Sequence, residues 1–265
     1  MSTNRKAGTK PPKVTPHDTI TDLLERSKRD ELPVRKTFLQ QGTGKVRTPG
    51  PLAELCRRQD ERALDLYLLF HAGASAYPFD IVLPAGVWAR AMGLAASSTS
   101  AKSAISKAWR RLEDLHLIRR ERAGNRSRVV LLDEAGLLDD AGKPIEYVHP
   151  ADNEERYLKL PYAYWNDRWH LRIDLPAKVA LLIALSLDDA FPLPAGRACD
   201  WYGISADTAQ RGLQALQGEQ LLDVDERYKP EALSETGWVI ERRYTLRPPF
   251  GPLRKATATI TKLRT

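Results

Sequence analysis

Cysteine is nearly absent: only Cys56 and Cys199 occur in 265 residues. That scarcity excludes a disulfide framework and fits two small buried hydrophobes, both inside expected helices, in a reducing compartment. No Cys-x-x-Cys is present, and His17, His71, His116, His149 and His170 stand far apart with no HxH or HExxH pairing. Neither zinc nor iron–sulfur ligation is therefore indicated. Long apolar runs are missing too. The longest, Val179 to Leu187, falls short of the roughly 18 residues that a bilayer span needs. The polar N-terminus lacks a hydrophobic signal segment, so the expectation is a cytoplasmic protein with no membrane partner.

Catalytic signatures are equally scarce. Gln41-Gly42-Thr43-Gly44-Lys45-Val46 imitates a phosphate loop, but that pattern needs glycine at 39 and Ser or Thr at 46, where the chain has Leu39 and Val46. There is no G-x-S-x-G, and Cys199 has no suggestive histidine partner. The acidic pairs Asp139-Asp140 and Asp188-Asp189 fall at loop or helix ends, where solvated charge is the ordinary explanation. The expectation is a protein without catalytic residues, metal or cofactor.

What the chain does have is basic charge, and it is partitioned. The net charge is +7. Residues 1–50 carry 11 Lys+Arg against 5 Asp+Glu, and residues 100–128 carry 9 against 3. Residues 51–99 are nearly balanced, at 4 against 5, and residues 129–241 are acidic, at 10 against 21. The last stretch, 242–265, has 7 basic residues and no acidic one. A polyanion is drawn to the two ends and to the segment around 100–128, and repelled by most of the rest.

The second positive feature is a repeat. Leu-Pro-Ala-Gly stands at 83–86 and again at 193–196. Seven residues after each glycine comes another glycine with an aliphatic neighbour, Gly93-Leu94 and Gly203-Ile204. Each copy then enters an amphipathic helix that closes at matched spacing, on Trp109, Leu112 and Leu117-Ile118 in one and on Leu213, Leu216 and Leu221-Leu222 in the other. The first copy carries about six extra residues, Ala95 to Ser100, before its helix.

These patterns predict an organisation. Residues 1–50 read as a basic, largely disordered arm and linker, relieved by a short helix near Thr21 to Glu31 and broken at Pro33, Gly42-Thr43-Gly44 and Pro49-Gly50-Pro51. A first unit over 51–135 opens with a helix from Pro51, buried through Leu52, Leu55, Cys56, Leu64, Tyr67, Leu68 and Phe70 and stopping near Gly73. Helices over 84–92 and 100–116 follow, then a hairpin of 117–121 and 127–132 around Gly124-Asn125. Residues 136–156 form a connector. The second unit, 157–248, begins with Tyr157, Tyr162, Tyr164, Trp165 and Trp169, best read as core packing. It continues with a helix capped by Asp174, a helix over 194–202, a helix capped by Ser205, and strands 221–225 and 239–246 joined by the longer loop 226–237. Residues 249–265 form a basic tail.

Gly203-Ile204-Ser205-Ala206-Asp207-Thr208-Ala209-Gln210-Arg211-Gly212-Leu213 resembles the winged helix-turn-helix proteins, in which a glycine makes the turn, Ser or Thr caps the recognition helix and Leu anchors it. The first copy matches at Gly93, Leu94, Ala108 and Leu112. The resemblance implies a mainly α fold with small β-wings (α+β), two winged helix-turn-helix units in tandem over 51–132 and 157–248. It further implies a recognition helix in the major groove of double-stranded DNA.

The first recognition helix offers Lys102, Ser103, Ser106, Lys107, Arg110 and Arg111 on its polar face. The wing adds Arg119, Arg120, Arg122, Arg126 and Arg128. Arginine suits bidentate contact with guanine or insertion in a narrow minor groove, and Ser and Lys suit phosphate oxygens. The second helix has Thr208, Gln210 and Arg211, with Arg242 and Arg243 on its last strand, and serves either base reading or pairing of two copies into a homodimer. Arg5, Lys6, Lys10 and Lys13 either solubilise the terminus or track phosphates beside the folded domain. The implied role is a sequence-specific transcriptional regulator. The alternatives are an initiator of plasmid replication with a similar two-unit layout, and a structural protein docking onto replication, transcription or segregation partners.

Overall fold

The two Asp-capped helices set the frame. Asp60 accepts from the Ala63 amide and Asp174 from the Ala177 amide, so each starts a helix whose first-turn donors would otherwise lack partners. The computed structural model describes residues 13–43, 46–124, 126–149, 157–193 and 195–252. In chain order it runs α1 Pro16–Glu25, β1 Glu31–Arg35, a 3-10 turn Lys36–Phe38, β2 Gln40–Thr43, β3 Val46–Pro49, α2 Pro51–Arg57, α3 Glu61–Gly73, β4 Asp80–Leu83, α4 Ala85–Ala91, α5 Thr99–Asp114, β5 Ile118–Ala123 and β6 Arg126–Leu131. It continues with β7 Tyr157–Pro161, α6 Ala163–Asn166, α7 Trp169–Arg172, α8 Leu175–Leu185, β8 Phe191–Pro192, α9 Ala195–Tyr202, α10 Ala206–Gly218, β9 Leu222–Pro230 and β10 Trp238–Leu246. The result is a mixed α+β chain with small antiparallel sheets.

The repeat seen in sequence is a repeat of structure. Helix, strand, helix, helix, strand, strand occurs over α3 to β6 and again over α8 to β10, and the sheets have the matching orders β4-β6-β5 and β8-β10-β9. Gly93 and Gly203 both take positive φ, +71° and +63°, at the turn between the second and third helix. Ser98 and Ser205 each cap the third helix by accepting from the amide three residues on. His116 and Gln220, at matched positions, both turn left-handed after that helix. The next amide then reaches back to the helix, from Leu117 to the Leu112 carbonyl and from Leu221 to the Leu216 carbonyl. That back-bond satisfies carbonyls that a helix end leaves open.

The N-terminal segment departs from expectation. Residues 1–12 and 44–45 lie outside the described residues, but 16–43 and 46–49 are folded rather than an arm. Thr15 and Asp18 form a reciprocal capping box with Pro16 at the first helical position, so α1 starts five residues before the expected helix. β1 pairs with β7, Leu32 opposite Leu160 and Val34 opposite Leu158, and all four side chains are buried. Pro33 sits in this two-stranded ribbon rather than ending a segment. Gln40 to Thr43 and Val46 to Pro49 make a hairpin, not a linker. Gly50 then passes so close to the 3-10 turn that a Cβ would lie 2.4 Å from the Thr37 carbonyl oxygen. Buried side chains of this segment, of α3 and α5, and of α8 and α10 belong to one continuous core.

Four smaller corrections follow. The helix expected from 51 to 73 breaks at Gln59, which takes φ +54°, and Asp60 caps a new one. β4 and β8 were not foreseen, because two to four residues are too few to show a period. Residues 226–230 and 238 extend the last two strands into a nine-residue ribbon instead of a loop. Cys56 is buried, whereas Cys199 is exposed. The aromatic cluster is core, with Tyr162, Tyr164, Trp165 and Trp169 all buried.

The two first helices, α3 and α8, meet through a buried cation. Lys178 Nζ lies 2.6 Å from Glu61 and 2.7 Å from Asp65, and the Tyr164 hydroxyl donates to Asp65 at 3.1 Å. Gly212 allows α10 to sit on α8, since a Cβ there would fall 2.3 Å from the Pro176 carbonyl oxygen.

Candidate nucleic-acid interface

On α5 the apolar positions Ala101, Ile105, Ala108, Trp109 and Leu112 are buried, and this leaves the polar stripe outward. Trp109 meets Phe70 and Trp88 edge-on at 5.6 and 5.3 Å, an arrangement aromatic rings favour, which fixes the helix on its unit. Lys102, Ser103, Ser106, Lys107 and Arg110 are all exposed. Lys102, Lys107 and Arg110 make no ion pair among the described residues, nor do Arg122 and Arg126 near the hairpin tip.

Arg111, Arg119, Arg120 and Arg128 have carboxylate partners, whereas Arg62 and Arg90 make no ion pair among the described residues, Arg90 donating to Thr19 Oγ1 at 2.7 Å. Arg111 pairs with Asp60, the cap of α3. Arg120 is held by Glu113, which ties β5 to the end of α5 and also accepts from the Arg120 amide at 3.1 Å. Arg119 reaches Glu121 and Glu146, and Arg128 reaches Asp80 and Glu121. Hydrogen bonds from Arg119 and then Arg128 hold the Glu121 carboxyl below its usual range. Among the described residues of the first unit, the cations on the outward stripe of α5 and at the hairpin tip are left without ion pairs, as are Arg62 and Arg90.

A cleft of about 320 Å³ opens beside that stripe, lined by Ser103, Lys107 and Arg111 together with Asp60, Arg62 and Ser100. Arg62 and Ser100 escape a reading by sequence. Arg62 is on α3, and only the fold brings that helix start against α5. Its signal is the Asp60 cap two residues earlier.

The second unit is built alike and charged differently. Thr208 is buried in the first turn of α10, its amide donating to Ser205 Oγ at 3.0 Å, so it shapes the helix start instead of facing outward. Arg211 pairs with Asp207 at 2.9 Å, Arg242 with Glu226 at 2.7 Å and Arg243 with Glu241 at 3.1 Å. Gln210, Gln214 and Gln217 line a cleft of about 670 Å³ between α10 and the β9–β10 ribbon. The ribbon end is apolar and exposed, with Tyr228 and Trp238 packed edge-on at 4.8 Å and Ile240 beside Tyr228 in the pairing.

Arg5, Lys6 and Lys10 lie outside the described residues, as does the tail beyond 252, and Lys13 is exposed. Among the described residues no cluster of three metal-ligating side chains occurs, and no helix is long and apolar enough to cross a membrane. No protein-family model, curated protein or solved structure matches this chain.

Proposed function

We propose that this chain binds double-stranded DNA in a sequence-specific way through two winged-helix units in tandem, and acts as a transcriptional regulator. The observation that carries the reading is the outward stripe of α5. Lys102, Lys107 and Arg110 stand exposed without carboxylate partners among the described residues, interleaved with Ser103 and Ser106, on the third helix of a helix–strand–helix–helix–hairpin unit. Such a helix enters the major groove, where lysine, serine and arginine meet phosphates and arginine also reads guanine. Arg122 and Arg126 at the hairpin tip then reach the neighbouring backbone or minor groove.

A second reading, a replication initiator on repeated origin sites, is favoured by the common core of the two units and by the Lys178 bridge between their first helices. Mapping where the protein crosslinks on its own DNA separates the two. Promoter sites support regulation, and clustered iterated sites support initiation. For the shared premise, Lys107→Ala with Arg110→Ala removes two phosphate-reaching cations and flattens the fall of log affinity with log salt by about 1.8. An unchanged affinity and slope would falsify the assignment of α5 as the DNA face.

A further inference from the structure

In the second unit the cations expected on the recognition helix and last strand, Arg211, Arg242 and Arg243, each face a carboxylate, and of the hairpin's other cations only Lys229 makes no ion pair among the described residues. Two arginines beside its turn are likewise without one. Arg47, on β3 of the N-terminal hairpin, and Arg197, on α9, both place their guanidinium carbons over the ring of Trp201, at 4.2 and 4.7 Å from its centroid. Neither makes an ion pair among the described residues. Asp200, next to Trp201, is exposed and pairs with neither of them.

The placement is built into the fold. β3 lies along α9, and Gly203 comes so close to Pro49 and Ala53 that a Cβ on it would meet their Cβ atoms at 2.9 Å. Across the hairpin Arg47 stands opposite Gly42, which has no side chain to compete for the space. Trp201 is partly buried against the core, so its ring is a fixed platform for both guanidiniums.

Two like charges on one ring repel each other, and the ring's electron-rich faces offset only part of that. A guanidinium that lies flat on a ring keeps its in-plane N–H donors free, the geometry suited to bidentate contact with a phosphate. An anion between them or along them relieves the repulsion and satisfies the donors. We propose that Arg47, Arg197 and Trp201 form a clamp for the phosphodiester backbone of duplex DNA. The N-terminal hairpin thereby supplies the second unit with the electrostatic contact that its own helix lacks. The clamp flanks the α9–α10 turn and leaves Gln210 and Gln214 for base edges. The proposal rests on the DNA-binding reading above.

The test uses the full chain and a labelled random-sequence duplex, titrated at micromolar protein between 50 and 200 mM salt, with melting curves to confirm folding. Arg47→Gln with Arg197→Gln removes two phosphate contacts. The slope of log affinity against log salt then falls by about 1.8, which makes the loss of affinity across that salt range about 12-fold smaller than in the native chain. Arg47→Lys with Arg197→Lys keeps the charge and retains most of the slope. A native slope in the glutamine variant, alongside a reduced one in Lys107→Ala/Arg110→Ala, overturns the clamp and leaves α5 as the DNA face. Salt-independent or absent duplex binding by the native chain overturns both.

Discussion

Replacing Lys178 by Met should be the most damaging single change in the framework, and its damage should depend on pH. The lysine is 1% exposed, and Met fills similar space without the charge. Asp65, 16% exposed, then keeps a carboxylate with only the Tyr164 hydroxyl to meet it. Breaking a buried pair on one side costs about 3–5 kcal/mol. In a chain of this length each kcal/mol moves the melting midpoint by about 2–4 °C, so the midpoint drops by roughly 6–20 °C near neutral pH. Burial pushes the Asp65 carboxyl up to about 6, against the opposing pull of Lys178. An acid raised above its unfolded value of 3.8 contributes stability that is fully present below that value and lost as pH rises through about 6. Without the lysine the folded value rises further, so the variant's deficit is large at pH 8 and shrinks toward pH 5, where Asp65 takes a proton. Glu61, 46% exposed, stays solvated and adds little. Melting curves at both pH values, for Lys178→Met alone and with Asp65→Asn, decide the matter. A deficit under about 1 kcal/mol, or one equal at pH 5 and pH 8, or no recovery with Asp65→Asn, refutes the reasoning.

His71 is buried, and desolvation holds its imidazole down to about 3. Its contribution is present above 6.5 and lost as pH falls toward 3, so His71→Gln should flatten the acid limb of the stability profile between about pH 6 and pH 4; an unaltered limb would place that protonation elsewhere. Asp60→Asn keeps a good helix cap but releases Arg111, and should steepen the salt dependence of duplex binding by about 0.9. A native slope would show that Arg111 is off the DNA face. Deleting residues 1–49 removes Ile20, Leu23, Leu24, Leu32, Val34, Phe38 and Leu39 from the core. At about 1.5–3 kcal/mol per buried side chain the loss is about 10–21 kcal/mol, on the scale of the roughly 5–15 kcal/mol that stabilises a whole domain, so the truncated chain should not give a cooperative melt. A cooperative melt would restore the arm of the sequence reading.

The helices of the two repeats were legible because each carries its own instructions. Ser98 or Ser205 starts the third helix, an apolar stripe runs through it, and a doublet such as Leu117-Ile118 follows it. The segment 16–49 was not legible because its partners are remote. Leu32 and Val34 show a period of two over only five residues with a proline between them, and they pair with Leu158 and Leu160 far along the chain. Thr15-Pro16-His17-Asp18 was a readable capping signal, overlooked in a stretch of lysine, threonine and proline. At the candidate interface the stripe of α5 was readable from its spacing. The ion pairs that occupy Arg111 and Arg128 were not, since Asp60 and Asp80 reach them only through the fold.

The folded N-terminal segment changes what the charge partition means. As a free arm, the surplus of residues 1–50 would be a diffuse attraction added to either unit. Folded, part of that charge has an address. β1 is fastened to β7 at the entrance of the acidic second unit, and the hairpin carries Arg47 onto α9. A unit with an acidic composition can thus face a polyanion through residues borrowed from another part of the sequence. Meanwhile its own exposed glutamines remain free of the phosphate attraction that would blur base reading. On this argument the two repeats differ less in whether they meet DNA than in where their cations come from. On the proposal made above, the first carries them on its own third helix, and the second receives Arg47 from a hairpin that precedes both repeats in the chain.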